Sequence, residues 1–212
     1  MDFTPFVEQI KASFKKEQLK TFDSIKELEE IKLASLGSND VEGYQVFTPE
    51  FIVKQMTEAV GQDCLDFSKN ILEPTSGDGA FTVYILQKRL EKALEGERFE
   101  LDSLKALSTI YSIEMDKDLI KKQRDNVFTL FAKFLRDHAG EANPGYLDLA
   151  KCIITTNFMW AMFNSDFPSG GIWVEVAYKM PEAEKQNYKP LQMPVWNINQ
   201  DQISLKYEEV EA

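Results

Sequence analysis

The feature that most constrains this chain is a short apolar strand that breaks into a glycine-containing turn and then into a helix. Residues 69–73 predict the strand, the turn reads Glu73-Pro-Thr-Ser-Gly-Asp-Gly79, and a helical pattern runs from Phe81 to Leu90. Glycine is favoured where the backbone approaches a ligand closely or adopts a positive φ. Two glycines at a strand-to-helix turn therefore predict a ligand crevice at the carboxyl end of a parallel strand.

The residues around this turn exclude two common phosphate-binding motifs. No Lys-Ser or Lys-Thr pair follows the glycines, so the turn is not a phosphate loop. The final glycine of the dinucleotide fingerprint G-x-G-x-x-G is also absent. The acidic Glu73 before the turn suits a cationic ligand better than a pyrophosphate. Taken alone, the motif leaves an ordinary glycine turn as an equal alternative.

A second strand, 109–114, ends in a carboxylate at Glu114. In nucleotide-binding α/β folds, a carboxylate at this place accepts hydrogen bonds from ribose hydroxyls. The next residue, Met115, is suited to pack against an adenine ring. A strand-terminal glutamate by itself is more often a solvated loop residue. Glu114 therefore indicates a ligand site only in combination with the glycine turn after the first strand.

Strands and helices alternate along the chain, which predicts an α/β fold with a mostly parallel sheet. Thr48 and Pro49 predict the start of a helix as N-cap and first helical residue. The other predicted elements are helices at 3–36, after the linker 95–102 and at 118–136, and strand-like runs at 152–160, 172–178 and 203–210. We expect three regions: a helical N-terminal extension (1–38), the main domain (39–180) and a C-terminal tail (181–212).

Composition limits the classes of partner and compartment. The 212 residues carry a net charge of −11, which argues against a chain that grips DNA by itself, because phosphate neutralisation supplies most non-specific affinity. No apolar run is long enough to span a bilayer, and we expect a cytoplasmic protein. Cys64 and Cys152 predict buried free thiols, and the single His138 offers no zinc site.

Three motifs in order carry a family resemblance: Gln45-Val-Phe-Thr-Pro49, the turn from Glu73 to Phe81, and Ser112-Ile-Glu-Met-Asp116. Together they resemble the γ-type adenine-N6 DNA methyltransferases of restriction-modification systems, over about residues 40 to 135. The resemblance implies a Rossmann-like methyltransferase domain and the cofactor S-adenosylmethionine. It further implies these cofactor-binding residues: Phe47, Thr48, Pro49, Glu73, Pro74, Gly77, Asp78, Gly79, Phe81, Glu114 and Met115.

Their implied roles follow the motif order. Phe47, Thr48 and Pro49 flank the methionine moiety of the cofactor, and the residues from Glu73 to Gly79 line its amino-acid end. Phe81 supports the loop, and Glu114 holds the ribose.

The family's catalytic motif, (D/N)-P-P-(Y/F/W), has no clear counterpart, because the chain contains no Pro-Pro pair. In one alignment Asn157 and Trp160 form a degenerate catalytic motif, whose aromatic ring stacks the flipped adenine. In the other, favoured alignment Asn157 belongs to the preceding strand, and Met162 replaces an Asp that contacts the cofactor's adenine. Core burial of Trp160 competes with both.

Two functions therefore stay open. One is an adenine-specific DNA methyltransferase, active alone or with a partner chain. The other is a catalytically inactive or truncated remnant that serves as a cofactor-binding or interaction subunit. The expected partners are DNA, bound weakly by this chain alone, and a second methyltransferase or specificity subunit.

Overall fold

The computed structural model describes residues 3–31, 48–140, 143–164, 173–176, 192–199 and 202–209. The α-helices of this part of the chain are α1 (Thr4–Ala12), α2 (Lys16–Ile31), α3 (Glu50–Val60), α4 (Ala80–Ala93), α5 (Phe99–Ser108), α6 (Lys117–Ala139) and α7 (Pro144–Asn157). The strands are β1 (Ile71–Glu73), β2 (Ile110–Glu114), β3 (Phe158–Asn164), β4 (Trp173–Val176), β5 (Gln192–Ile198) and β6 (Ile203–Glu209).

The main sheet has the strand order β1-β2-β3-β4. β1 pairs parallel with β2 and β2 pairs parallel with β3, whereas β4 returns antiparallel to β3. The carboxyl ends of β1 and β2 consequently lie side by side, with Glu73 opposite Ser112. The predicted mixed α/β fold with parallel strands is confirmed, as a three-stranded parallel sheet extended by one antiparallel strand.

Helices pack around this sheet through one large apolar cluster. The cluster is made of fully buried residues such as Leu86, Leu107, Phe131 and Ile153, and it includes Phe3 from the N-terminal helical region. The start of α6 is fixed locally, because the Asp116 side chain accepts hydrogen bonds from two backbone amides of its first turn. Cys64 and Cys152 are buried free thiols, as predicted.

The single helix predicted over 3–36 is wrong within the described residues, because the chain forms two helices. α1 ends before Ser13, whose hydroxyl donates to the Ile10 carbonyl. A new start follows at once, since the backbone amide of Lys15 donates to the side chain of Gln18. This side-chain cap substitutes for a helical hydrogen bond and breaks an otherwise continuous apolar stripe. Residues 32–36 lie outside the described part of the chain.

The strand-like run 152–160 is also corrected, because its first six residues are helical. α7 begins at Pro144, after Asn143 caps it by accepting the Gly145 amide. Every residue from Leu149 to Asn157 is buried. A helix buried on all sides loses its apolar periodicity, so its sequence cannot be distinguished from a buried strand by pattern. The strand β3 starts only at Phe158.

The predicted C-terminal tail contains a β-hairpin, of which the sequence indicated only the second strand. β5 and β6 pair antiparallel, and Ile198 and Ile203 at their turn are buried in the core. The Tyr111 hydroxyl of β2 donates to the Pro194 carbonyl of β5. In the described residues, no helix is long and apolar enough to cross a membrane.

Candidate functional site

The glycine turn after β1 and the end of β2 are joined by direct hydrogen bonds. The Ser76 amide donates to the Ile113 carbonyl over 3.0 Å. The Gly77 amide donates to one carboxylate oxygen of Glu114 over 2.7 Å, and the Asp116 amide donates to the other over 2.8 Å. Glu114 therefore holds the ends of two adjacent parallel strands in one fixed arrangement.

Both glycines of the turn have the backbone conformation that favours glycine. Gly77 has a φ of 57° and Gly79 a φ of 87°, in the left-handed region that other residues rarely adopt. A Cβ on Gly79 would also lie 2.4 Å from Cγ of Gln123. A Cβ on Gly77 would meet no atom within 4 Å, so the space beside this residue is open. The turn thus combines a tightly packed glycine with one that faces free space.

The Glu73 carboxylate is enclosed beside this turn. It accepts a hydrogen bond of 2.5 Å from the hydroxyl of Thr82 in the first turns of α4. The pKa of Glu73 is raised to about 7, chiefly by burial; the hydrogen bonds from Thr82 lower it, and the negative charges of Asp78 and Glu114 add smaller raising effects. Near neutral pH this carboxylate is consequently poised between its two protonation states.

The charge of the site is predominantly negative. Glu73, Asp78 and Glu114 are close enough for their charges to interact. Asp78 forms an ion pair with Lys122 of α6 over 3.1 Å, and its partner ammonium is about half exposed. An excess of carboxylates around an open turn favours a cationic ligand over an anionic one.

A cleft of about 300 Å³ opens next to the turn, between α3, α4 and α6. Its lining includes Thr48, Asp78 and Gly79 from the predicted cofactor-binding set. Glu73, Gly77 and Glu114 are not part of that lining. The strand ends and the cleft therefore meet at Asp78 and Gly79, and we place the candidate site at this junction.

The remaining predicted cofactor-binding residues have varied positions. Pro49, and not the predicted Thr48, is the N-cap of α3, which begins at Glu50 without a side-chain cap. Pro74 and Phe81 are partly buried, with Phe81 packed against the core. Met115, directly after Glu114, is 64% exposed. Phe47 lies outside the described residues.

Trp160 lies at the same edge of the sheet as the glycine turn. In the parallel register it is opposite Glu114. Its indole N–H donates to the Met115 carbonyl over 3.0 Å, and the Lys117 ammonium lies 5.5 Å from its ring centroid. Trp160 is therefore a neighbour of the candidate site.

Asn157 directly precedes β3, on the side of the sheet where β2 begins, whereas Trp160 and the glycine turn lie where β2 ends. Its amide donates to the carbonyls of Ser108 and Ile110, at the amino end of β2. Its carbonyl oxygen accepts from Trp196 and Thr156. The side chain is fully buried and its hydrogen-bonding groups are satisfied. Asn157 is therefore held by hydrogen bonds within the core, whereas Trp160 lies beside the candidate site.

One residue of the site was missed by sequence reasoning. Gln123 of α6 is fully buried beside the turn, where its amide contacts Ser76, Thr82 and Ser112. The signal was a polar residue in the apolar stripe of α6, between Ile120 and the buried positions from 127 onward. A buried polar side chain needs partners, and these partners were not visible in the sequence.

The fold and site together define a mixed α/β protein with an acidic, glycine-containing turn at the carboxyl edge of a parallel sheet. Comparison with protein-family models, curated proteins and solved structures gave no match to this chain. Among the described residues, no group of three or more His, Cys, Asp or Glu side chains is arranged to hold a metal ion.

Proposed function

We propose that this chain binds S-adenosylmethionine as the cofactor-binding part of an adenine-N6 DNA methyltransferase. The observation that carries the proposal is the bond between the Gly77 amide and the Glu114 carboxylate. It joins the glycine turn to the acidic end of the neighbouring strand, the two elements on which the family resemblance rests. In open α/β sheets, ligands bind in the crevice outside such strand ends.

The residues present fit this cofactor. S-adenosylmethionine carries a positive sulfonium, a positive amino group and a negative carboxylate, so its net charge is positive, and it supplies the methyl group when bound. The carboxylates of Glu73 and Asp78 offer counter-charges at the turn. Each Glu114 oxygen accepts one backbone amide and keeps a further lone pair for a ribose hydroxyl. The open space at Gly77 leaves room for the ligand to approach the backbone.

The order of β1, β2 and β3 supports a Rossmann-like arrangement, whereas β4 pairs with β3 and not with β1, as the fourth strand of a doubly wound sheet would. In doubly wound sheets the first three strands have the order 3-2-1, and β1, β2 and β3 are parallel neighbours in that order. The run after Asn157 is thus the third strand, beside β2. This placement favours the alignment in which Asn157 precedes the third strand over the alignment with the catalytic motif.

A second candidate function is a non-catalytic cofactor-binding or interaction subunit. It is favoured by the position of Asn157 at the edge remote from the turn. The sequence adds that no Pro-Pro pair is present and that the net charge is −11. In this version a second methyltransferase or specificity subunit would supply DNA contacts and the residues that grip the flipped base.

Cofactor binding is tested by isothermal titration of the full chain with S-adenosylmethionine. We expect Gly77→Trp to abolish binding, because its side chain fills the open space of the turn. Glu114→Ala should weaken binding by about ten- to a hundredfold, since hydrogen bonds to a charged group are worth about 1.5–3 kcal/mol. Glu95→Ala, at an exposed position outside the site, is the control. No heat with the wild-type chain at millimolar ligand would refute the proposal.

The two candidate functions differ in transfer of labelled methyl groups to unmethylated DNA. The isolated chain is expected to transfer few or none, because extraction of a base costs a few kcal/mol that pocket contacts must recover. Incorporation by the purified chain, lost in Glu114→Ala, would instead make it a self-sufficient enzyme. Incorporation only after addition of a second chain would support the subunit function.

A further inference from the structure

The hydrogen bonds around the glycine turn converge on one side chain, Gln123 of α6. Its carbonyl oxygen accepts from the hydroxyl of Ser76 in the turn over 2.8 Å and from that of Ser112 in β2 over 3.0 Å. Its amide nitrogen donates to the Thr82 hydroxyl over 3.0 Å. One buried amide thereby connects the turn, β2 and α4, the three elements that border the candidate site.

The two hydrogen bonds at the Thr82 hydroxyl form a chain that runs from Gln123 to Glu73. Gln123 donates to Thr82, and Thr82 donates to the Glu73 carboxylate. A hydroxyl that accepts a hydrogen bond is a stronger donor, because hydrogen bonds in a chain polarise one another. Gln123 therefore strengthens the hydrogen bond that stabilises the ionised form of Glu73.

Gln123 also contacts the turn through its aliphatic part. Its Cγ occupies the space that a side chain at Gly79 would need. The amide is fully buried, so none of its bonds can be replaced by bulk water without opening the core. The same residue consequently determines the position of the turn backbone and the environment of its acidic side chain.

We propose that Gln123 is a positioning residue for the cofactor site: it holds the turn from Ser76 to Gly79, and through Thr82 the Glu73 carboxylate, in the arrangement that receives the cationic end of the ligand. The inference rests on the proposed function for the nature of the ligand. Its effect on Glu73 belongs to the unliganded chain and can be measured without any cofactor.

The first test is a carboxyl-carbon NMR titration of Glu73 in the unliganded full chain. The wild-type pKa of about 7 reflects burial first, then the Thr82 hydrogen bond and the charges of Asp78 and Glu114, with Lys122 paired to Asp78. Gln123→Met has a similar shape but no donor, and it should raise this pKa. Thr82→Val should raise it more, because it removes the hydrogen bond itself. Gln62→Met, the same exchange at an exposed position, should leave it unchanged.

The second test is titration of the same proteins with S-adenosylmethionine across the pH range. Gln123→Met is expected to weaken binding about tenfold at neutral pH, a loss equal to about 1.4 kcal/mol, and to move the midpoint of the pH dependence upward together with the Glu73 pKa. If Gln123→Met does not fold, Ser76→Ala carries the test of the turn, because it removes the hydrogen bond between the turn and Gln123. It should also weaken binding, and unchanged affinity would overturn the positioning role.

The outcomes separate the two claims. An unchanged Glu73 pKa in folded Gln123→Met overturns the positioning role, whatever the ligand and whatever the effect of Thr82→Val. If the Glu73 pKa rises in Gln123→Met but the wild-type chain does not bind S-adenosylmethionine, the proposed cofactor is refuted and the effect of Gln123 on Glu73 stands. A raised pKa together with unchanged affinity and an unchanged pH profile would show that Gln123 has only a structural role.

Discussion

Replacing Glu73 by Gln should make the chain more stable at alkaline pH while leaving its stability near pH 4.5 almost unchanged. In the folded chain burial raises the pKa of Glu73 to about 7, against an ordinary value of 4.5. The folded state therefore binds this proton more tightly than the unfolded state. The free energy of unfolding must then fall as the pH rises from about 4.5 to about 7.

The size of the effect follows from the two pKa values. At about 1.36 kcal/mol per pKa unit, the wild-type chain loses about 3 kcal/mol across this window because of Glu73. This is an upper limit, since part of the side chain contacts solvent, which screens the charge. The amide introduced by Glu73→Gln would be neutral at every pH and would still accept a hydrogen bond from Thr82, so the variant should lack this loss.

The assay is urea denaturation of wild type and Glu73→Gln at pH 4.5 and pH 8, with the difference between the proteins compared at each pH. Glu91→Gln is the matched control. Glu91 lies on the outside of α4, where the hydrogen bond from Lys88 lowers its pKa, and its removal should have little effect. Equal pH dependence in wild type and Glu73→Gln would refute the reasoning about burial of this carboxylate.

Three further substitutions test other parts of the structure. Gly79→Ala should destabilise the chain by about 1–3 kcal/mol in urea denaturation, more than Gly140→Ala, because both glycines have positive φ but only Gly79 is in contact with Gln123. Asn157→Ala should lower the free energy of unfolding by about 2–4 kcal/mol, because buried hydrogen bonds are lost. The cofactor affinity of the folded variant should be unchanged. Weaker affinity at unchanged stability would contradict the structural role of Asn157. Arg89→Lys should lower the thermal midpoint, since the buried guanidinium donates to the carbonyls of Cys64, Asp66 and Lys69 and to the Thr109 hydroxyl; an unchanged midpoint would show that these bonds are replaceable.

The sequence predicted those elements whose patterns differ on their two faces or at their ends. β1, β2, α4 and α6 were found because glycine, a terminal carboxylate or a long apolar stripe marked them. α7 was misassigned because it is buried on all sides, and one side-chain cap at Gln18 divided the N-terminal helix. Both errors arise from tertiary packing or a single hydrogen bond, which periodicity does not encode.

The sequence predicted the main-chain elements of the candidate site but not the buried side chains that connect them. Parallel topology requires the ends of adjacent strands to meet, so the proximity of the turn and Glu114 followed from the motif order. The roles of Gln123 and Thr82 did not, because their contacts cross between helices far apart in sequence. Asn157 was ambiguous for a similar reason: only the pairing of β3 with β2 places it at the amino edge.

The central claim is that the glycine turn and the end of β2 form a site for S-adenosylmethionine. The most direct measurement is a two-dimensional amide NMR titration of the full chain with this cofactor. The account predicts saturable shifts at the amides of Gly77, Gly79, Glu114 and Met115, and little change in the β5–β6 hairpin. Absence of shifts at millimolar cofactor, or shifts confined to another face of the protein, would contradict it.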